Sequence, residues 1–145
     1  MTIVSGKAVR ISDAVFDLQI EEGADIKDVR IGAIASGTQT YIKIIPADNS
    51  TVLVGMIENS DTEAVLLSTS EIDKIEIKIG TLEVVLTGDK ISFKNGQTDF
   101  KDFLSGLIDD LKSAVIQTPA GPGNFSPADV QKLTQRKQEF LNLFE

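Results

Sequence analysis

Adjacent carboxylates are the side chains of this sequence best placed to do chemistry. Asp109 lies beside Asp110, and Glu21 lies beside Glu22. Two neighbouring carboxylates can act as a general acid and base or bind a cation. Such pairs are also typical of a solvated helix face, as for Asp109 and Asp110, and of a strand end, as for Glu21 and Glu22. The second interpretation requires no ligand, so we expect no catalytic or metal site at either pair.

Three other groups of residues could bind a ligand, but none completes a known motif. Oxygen-rich turns could hold calcium, although their spacing does not match an EF-hand loop. These turns contain Asp48, Asn49, Asn59, Ser60 and Asp61. The segment "AGPG", residues 120–123, lacks the neighbouring residues of a phosphate-binding loop, and Tyr41 and Phe16 could stack on a ring. We expect turns, a linker, and core or interface packing, respectively, and no cofactor.

The composition excludes most enzyme mechanisms and several classes of partner. The 145 residues include no cysteine and no histidine, which removes thiolate nucleophiles, Ser-His couples and the commonest transition-metal ligand. A formal net charge of -8 would repel nucleic acid. No apolar run approaches the roughly 20 residues of a membrane span, and the start "MTIVSGKAVR" lacks signal-peptide features. We therefore expect a non-enzymatic protein, made in a cytoplasm, without a nucleic-acid partner or a membrane span.

Periodicity predicts a mainly β protein with α-helices at its C-terminal end. Between Lys7 and Lys94 short alternating segments follow one another, and turn sequences such as "EEGAD" and "PADNS" separate them. The strands before Ile72 fit a small antiparallel barrel of the oligonucleotide/oligosaccharide-binding (OB) kind. We predict an OB-like barrel over residues 1–72, a β-ribbon over 73–97 and a two-helix hairpin over 98–145.

The two helices are indicated by a period of about 3.6 after Gly96. The first is predicted from about residue 99 to 116, with Thr98 or Asp99 as its N-cap. The proline- and glycine-rich segment "TPAGPGNFSP" then ends it. Ser126 and Pro127 predict a second helix that runs from residue 127 to the end. Its apolar side is interrupted by one basic residue, Lys137.

The ribbon between barrel and helices carries a glycine every eight residues, in "KIEIKIGTLEVVLTGDKISFKNG", residues 74–96. Gly80, Gly88 and Gly96 are expected at its turns, because tight hairpins need positive φ. Side chains alternate between faces along a strand, so one face of the ribbon is apolar. Two interpretations stay open. Either the first helix lies across this face in a simple meander, or ribbons of three chains wrap about one axis as a β-prism.

For the second interpretation we predict an oligomer interface on both the ribbon and the first helix. The ribbon residues expected there are Ile75, Ile77, Ile79, Val84, Leu86, Ile91 and Phe93. The helix residues expected there are Leu104, Leu107, Ile108 and Leu111. An amphipathic helix of this length cannot stand alone, because ordering it costs about as much as burying its apolar face contributes.

Two segments of the chain resemble bacteriophage baseplate and tail-spike proteins of the baseplate assembly protein V type, especially forms from phages of Bacteroidetes hosts. One is "PADNSTVLVGMIENSDTEAVLLSTSEIDKIEIKIG", residues 46–80, together with the preceding "DIKDVRIGAIAS", residues 25–36. The other is the helical tail, residues 100–144, which is similar to a tail found on some of these proteins. The resemblance covers about three quarters of the chain.

The resemblance implies a virion structural protein that forms a homotrimer on the axis of a phage tail. Its barrel would sit on the hub, in contact with other tail or baseplate hub proteins, and its distal part would point toward the host envelope. Family spikes often carry a long β-helix and a histidine-bearing metal-binding tip, and this chain has neither. A plug, hub-capping or assembly role therefore fits better than envelope piercing. The rival hypothesis is a monomeric OB-fold module that binds a carbohydrate or peptide.

Overall fold

A computed structural model of the chain describes residues 2–31, 40–57 and 63–144. Within them lie twelve strands and two helices. The strands are β1 (Ile3–Arg10), β2 (Val15–Gln19), β3 (Ile26–Arg30), β4 (Thr40–Pro46), β5 (Thr51–Met56), β6 (Ala64–Thr69), β7 (Ile72–Ile79), β8 (Leu82–Thr87), β9 (Lys90–Asn95), β10 (Thr98–Asp99), β11 (Ile116–Thr118) and β12 (Gly121–Gly123). The helices are α1 (Phe100–Ser113) and α2 (Pro127–Leu141).

Five strands close into a barrel in the order β1-β2-β3-β6-β5. Neighbouring strands of the barrel are antiparallel except for β3 and β6, which run parallel, with Arg30 opposite Val65. This order is that of a five-stranded Greek-key barrel. The protein is thus mainly β, with an OB-like barrel followed by a β-ribbon and a helical hairpin, as the sequence predicts.

The barrel core consists of inward-facing apolar side chains from every barrel strand. Phe16, Leu18, Val29, Val52 and Val54 are at most 1% exposed, and burial of each large side chain is worth about 1.5 to 3 kcal/mol. The strands alternate because one face meets this core and the other meets solvent. Phe16 therefore belongs to the core, in line with the expected core or interface packing. Its ring offers no surface on which a ligand could stack.

Strand β4 lies within the segment predicted as barrel, residues 1–72, but it pairs with β7 instead of a barrel strand. A second sheet results, with the order β10-β9-β8-β7-β4. Near the end of β4 the side chain of Ile45 is fully buried and joins the barrel core. The strand thus links the two units: most of it extends the second sheet, and its end contributes to the barrel.

The glycines at eight-residue intervals lie in two-residue hairpin turns between strands of one chain. Gly80, Gly88 and Gly96 have φ of 61°, 56° and 59°. Each is the first residue of its turn, between the register pairs Ile79↔Leu82, Thr87↔Lys90 and Asn95↔Thr98. Glycine at this position fits a type II′ turn, whose twist matches that of the flanking strands. The turns are those of the meander interpretation.

Both helices begin where their capping residues predict. The Asp99 carboxylate accepts a hydrogen bond from the Lys101 amide, and the Ser126 hydroxyl accepts one from the Asp129 amide. Helix α1 ends at Ser113, before the predicted residue 116, because Ala114 is already extended. The linker is more ordered than predicted, since β11 and β12 form a small hairpin in it.

Candidate oligomer interface

One face of the second sheet is apolar across four strands. Cross-strand register places Ile44 opposite Ile75, Ile75 opposite Leu86, and Leu86 opposite Ile91. A second row runs parallel to the first, through Ile42, Ile77, Val84 and Phe93. Register partners point to the same side of a sheet. We call this surface the apolar face.

The apolar face is largely uncovered. Ile42 is 65% exposed and Ile79 57%, while Ile44, Leu86 and Phe93 are about 40% exposed. Buried β positions normally fall far below these values, and contiguous apolar patches of this kind mark interaction surfaces. Four of the predicted ribbon residues, Ile75, Ile77, Val84 and Ile91, are half-buried on the same face. All seven ribbon residues predicted for an interface therefore lie together.

The opposite face of the same strands carries the charges. Lys43 and Lys74 contact Glu76 at 3.0 and 2.6 Å. Lys78 lies opposite Glu83, which in turn lies opposite Lys94. The side chains of Lys43, Lys74 and Glu76 are only 14% to 24% exposed, and pairing with an opposite charge offsets the cost of this partial burial. The two faces of the sheet therefore differ in chemistry: one carries the charged side chains, and the rows of the apolar face carry none.

Helix α1 covers only one border of the apolar face. It packs against β9 and β10, and the ring of Phe100 meets that of Phe93 edge-on, with centroids 5.8 Å apart. On α1, Leu104 and Ile108 are half-buried, whereas Leu107 and Leu111 are 45% and 43% exposed. The predicted helix residues thus form two stripes, and only one of them is packed within the chain.

The C-terminal end of the chain holds the helices to this border. Phe140 and Phe144 pack on Phe100, with centroids 6.3 and 6.0 Å away. The backbone carbonyl of Leu143 accepts a hydrogen bond of 2.9 Å from the Ile91 amide. Lys137, the basic residue that interrupts the apolar side of α2, pairs with Asp109 of α1. The predicted helical hairpin is therefore tied together and tied to β9.

Sequence reasoning missed the part of the apolar face that β4 contributes. Ile42 and Ile44 alternate with Tyr41, Lys43 and Ile45 as the isoleucines of β7 alternate with its charges. That shared pattern was the available signal. The sequence prediction places β4 within the barrel, residues 1–72, and therefore leaves its isoleucines out of the interface. Phe103 of α1, which is absent from the predicted interface, is also 59% exposed.

Among the described residues, those considered for chemistry do not come together in a site. Asp109 bonds to Lys137 and Lys112, and the hydrogen bond from Lys137 lowers the pKa of its carboxyl. Asp110, Glu21 and Glu22 are exposed. Asp48 and Asn49 lie in a turn, while Asn59, Ser60 and Asp61 fall outside the described residues. Among the described residues, no group of three or more potential ligands is arranged to bind a metal.

A chain of ion pairs joins the barrel to the second sheet. Arg10, at the end of β1, bonds to Asp13 at 2.5 Å and to Asp73 at the start of β7. Asp13 also accepts a bond of 3.1 Å from Lys74, which reaches Glu76. The hydrogen bond from Arg10, with help from Lys74, lowers the pKa of Asp13. Burial opposes ionisation of Glu76, but Lys74 and Lys43 outweigh it, so the pKa of Glu76 is also lowered.

Where β4 passes the barrel strand β6, an apolar cleft of about 270 Å³ opens. Six of its lining side chains are apolar, including Ile42, Leu67 and Ile72, and the others are the hydroxyl residues Ser68 and Thr69. The cleft continues the apolar face at the border opposite α1, because β4 and β9 lie on opposite sides of β7 and β8.

Among the described residues, no helix has both the length and the apolarity that crossing a membrane requires. Comparisons with protein-family models, with curated proteins and with solved structures gave no match.

Proposed function

We propose that this protein is a non-enzymatic structural component of a bacteriophage tail, at the baseplate hub or spike, and that it assembles as a homotrimer on the tail axis. The observation that carries the proposal is the apolar face, which the chain's own helices leave open over β4, β7 and β8. Three copies would turn these faces toward one axis and bury them.

The distribution of charge leaves this face as a place where copies of the same chain can meet. The chain carries a formal net charge of -8, which opposes self-association through most of its surface. The apolar face has no charged residue in any of its rows, from Ile42 to Phe93 and from Ile44 to Ile91. Copies that meet on it avoid like-charge contacts.

The free energy of apolar burial indicates that the sheet and α1 both contribute to the proposed interface. Five sheet side chains and Phe103, Leu107 and Leu111 of α1 are between 39% and 65% exposed. Burying the exposed half of one such side chain contributes about 1 kcal/mol. Association costs about 4 to 15 kcal/mol, so the sheet alone reaches only the low end of that range. Burying the three exposed side chains of α1 as well raises the stabilisation further into that range.

Placement in a phage tail rests on the resemblance of residues 46–80 and 100–144 to the baseplate assembly protein V type. An OB-like barrel followed by a β-ribbon agrees with that resemblance. The barrel would contact other hub proteins, and the ribbon with its helices would form the distal part. A capping or plugging role suits the short ribbon.

Light scattering of the purified chain at micromolar concentration tests the assembly, with an expected mass about three times 15.6 kDa. An electron-microscopy reconstruction should then place three barrels at one end of a threefold axis. Co-purification with proteins encoded by adjacent genes tests the tail assignment. A trimer whose gene neighbours encode no tail components would refute the phage role and leave the assembly intact.

The cleft between β4 and β6 favours one alternative, a monomeric OB-fold module for a peptide or carbohydrate. Its lining is mostly apolar with two hydroxyl residues, which suits an apolar peptide better than a sugar. A monomeric mass, together with saturable binding of peptides that Leu67→Asp abolishes, would establish this alternative in place of the trimer.

A further inference from the structure

We propose that the exposed stripe of α1, formed by Phe103, Leu107 and Leu111, docks into the apolar cleft between β4 and β6 of the neighbouring copy. This inference rests on the proposed trimer and specifies how its corners are built. The second sheet would run along the axis, with each chain giving its helix stripe to the next and receiving one from the previous chain.

The order of strands brings these two surfaces together. In the second sheet, α1 packs at the β9 and β10 border, and β4 forms the other border. When three such sheets surround one axis with cyclic symmetry, the β9 border of each sheet adjoins the β4 border of the next. The helix stripe and the cleft are therefore neighbours across every corner, and a head-to-tail contact closes into a ring when each copy is rotated by one third of a turn from the last.

The two surfaces also match in chemistry. The stripe residues Phe103, Leu107 and Leu111 are 59%, 45% and 43% exposed, and in the cleft Leu67 and Ile72 are 46% and 51% exposed. None of the residues that line the cleft is charged. In a chain with a formal net charge of -8, apolar surfaces without charge are where copies approach at the least electrostatic cost.

Gly106 supplies an independent observation. It lies inside α1, one turn after Phe103, and a side chain added there would meet no atom within 4 Å. Glycine in a helix interior lowers helix stability relative to alanine. None of the described residues packs closely enough on Gly106 to require glycine there. Close approach of a neighbouring chain to the helix backbone beside the stripe would account for glycine at this position.

Cysteine cross-linking tests the contact directly, because the natural chain has no cysteine. The double variant Leu67→Cys/Leu107→Cys should form covalent dimers and trimers on mild oxidation, seen on a non-reducing gel. The matched control Glu22→Cys/Leu107→Cys, in which Glu22 is exposed on the barrel, should stay mostly uncross-linked. Monomeric bands from the first variant, or equal cross-linking in both, would overturn the proposal.

The substitution Gly106→Ala separates this contact from helix stability. We expect it to raise the unfolding midpoint of dissociated chains and to weaken assembly at least tenfold. Assembly that is unchanged or stronger would overturn the proposal. Light scattering on the same samples distinguishes the two levels of inference: a trimer without the Leu67 to Leu107 cross-link refutes this contact alone, whereas a monomer refutes the proposed assembly as well.

Discussion

Phe93 of β9 and Phe100 of α1 meet edge-on, with ring centroids 5.8 Å apart, and this contact marks the limit of what the helix covers. Beyond it, along the same row, Val84 and Ile77 are half-buried, and Ile42 on β4 is 65% exposed. The helix is thus anchored at one border of the face. A single chain therefore buries only part of the apolar face that its sequence pattern creates.

Replacing Leu107 with aspartate should dissociate the assembly while the chain stays folded. Leu107 is 45% exposed in the single chain, so the new carboxylate can remain hydrated there. In an apolar interface it would be desolvated, which is costly. Light scattering should report a monomer, and circular dichroism should be unchanged. Gln131→Asp on the exposed side of α2 is the control and should remain assembled; if Leu107→Asp also remains assembled, the helix is outside the interface.

Adjacent residues on opposite faces of β7 offer a matched pair of variants. Ile79→Ser should weaken assembly about tenfold, because the interface loses roughly 1.4 kcal/mol of apolar burial. Lys78→Ser should have little effect, since Lys78 points to the charged face. Dilution series followed by light scattering measure both. Equal effects of the two substitutions would argue against burial of the apolar face.

Gly88→Ala should destabilise the fold by about 1 to 3 kcal/mol, because its φ of 56° is one that residues with a Cβ rarely adopt. A Cβ there would meet no atom within 4 Å, so the cost is one of backbone conformation rather than of contact. Chemical denaturation measures the difference. Gly88→Asn should recover part of the loss, since asparagine tolerates positive φ better.

Phe144→Ala should loosen the helical hairpin from the sheet. Phe144 is 9% exposed and packs on Phe100 and Phe140, and truncating a buried phenylalanine costs about 3 to 5 kcal/mol. Because the site is peripheral, we expect faster hydrogen exchange in α2 and little change in the barrel. Leu143→Ala, at a position 56% exposed, is the control. Slowed or unchanged exchange in α2 would contradict the proposed anchoring.

Acid should weaken the junction between barrel and sheet. The pKa values of Asp13 and Glu76 are lowered in the folded chain, so the unfolded chain binds more protons in the acid range. The stability that these groups contribute is present above the unfolded pKa values of about 4. It is lost as the pH falls through the lower folded values.

Denaturation midpoints between pH 7 and pH 2 measure this loss. Asp13→Asn should flatten the acid slope, because a neutral amide cannot take part in the linkage. A slope identical to that of the natural chain would show that Asp13 contributes nothing to the junction.

The individual barrel strands, the turns and the helix starts could be predicted because each rests on local chemistry. Each signal spans only a few residues of sequence. Examples are the alternation at Phe16 and Leu18, the positive φ at Gly80, and the side-chain caps at Asp99 and Ser126. The partner of β4 was not predictable in this way. Its alternation specifies a strand with one apolar face, but pairing with β7 is a long-range choice that periodicity does not encode.

The same limit explains what was missed at the interface. The apolar face includes Ile42 and Ile44 only because β4 joins the second sheet. The short strands β10, β11 and β12 have two or three residues each, which is too few for a period. The early end of α1 follows from the extended backbone at Ala114, where Val115 and Ile116 favour a strand over a helix.

The spacing of the hairpin glycines also constrains how this sheet could grow in evolution. In a six-residue strand such as Leu82–Thr87, the first and the last side chain point to opposite sides of the sheet, because side chains alternate. Duplicating one such repeat would turn every later strand over and send Ile91 and Phe93 to the wrong side. Duplicating two would restore them. Longer versions of this ribbon should therefore differ from it by whole pairs of repeats.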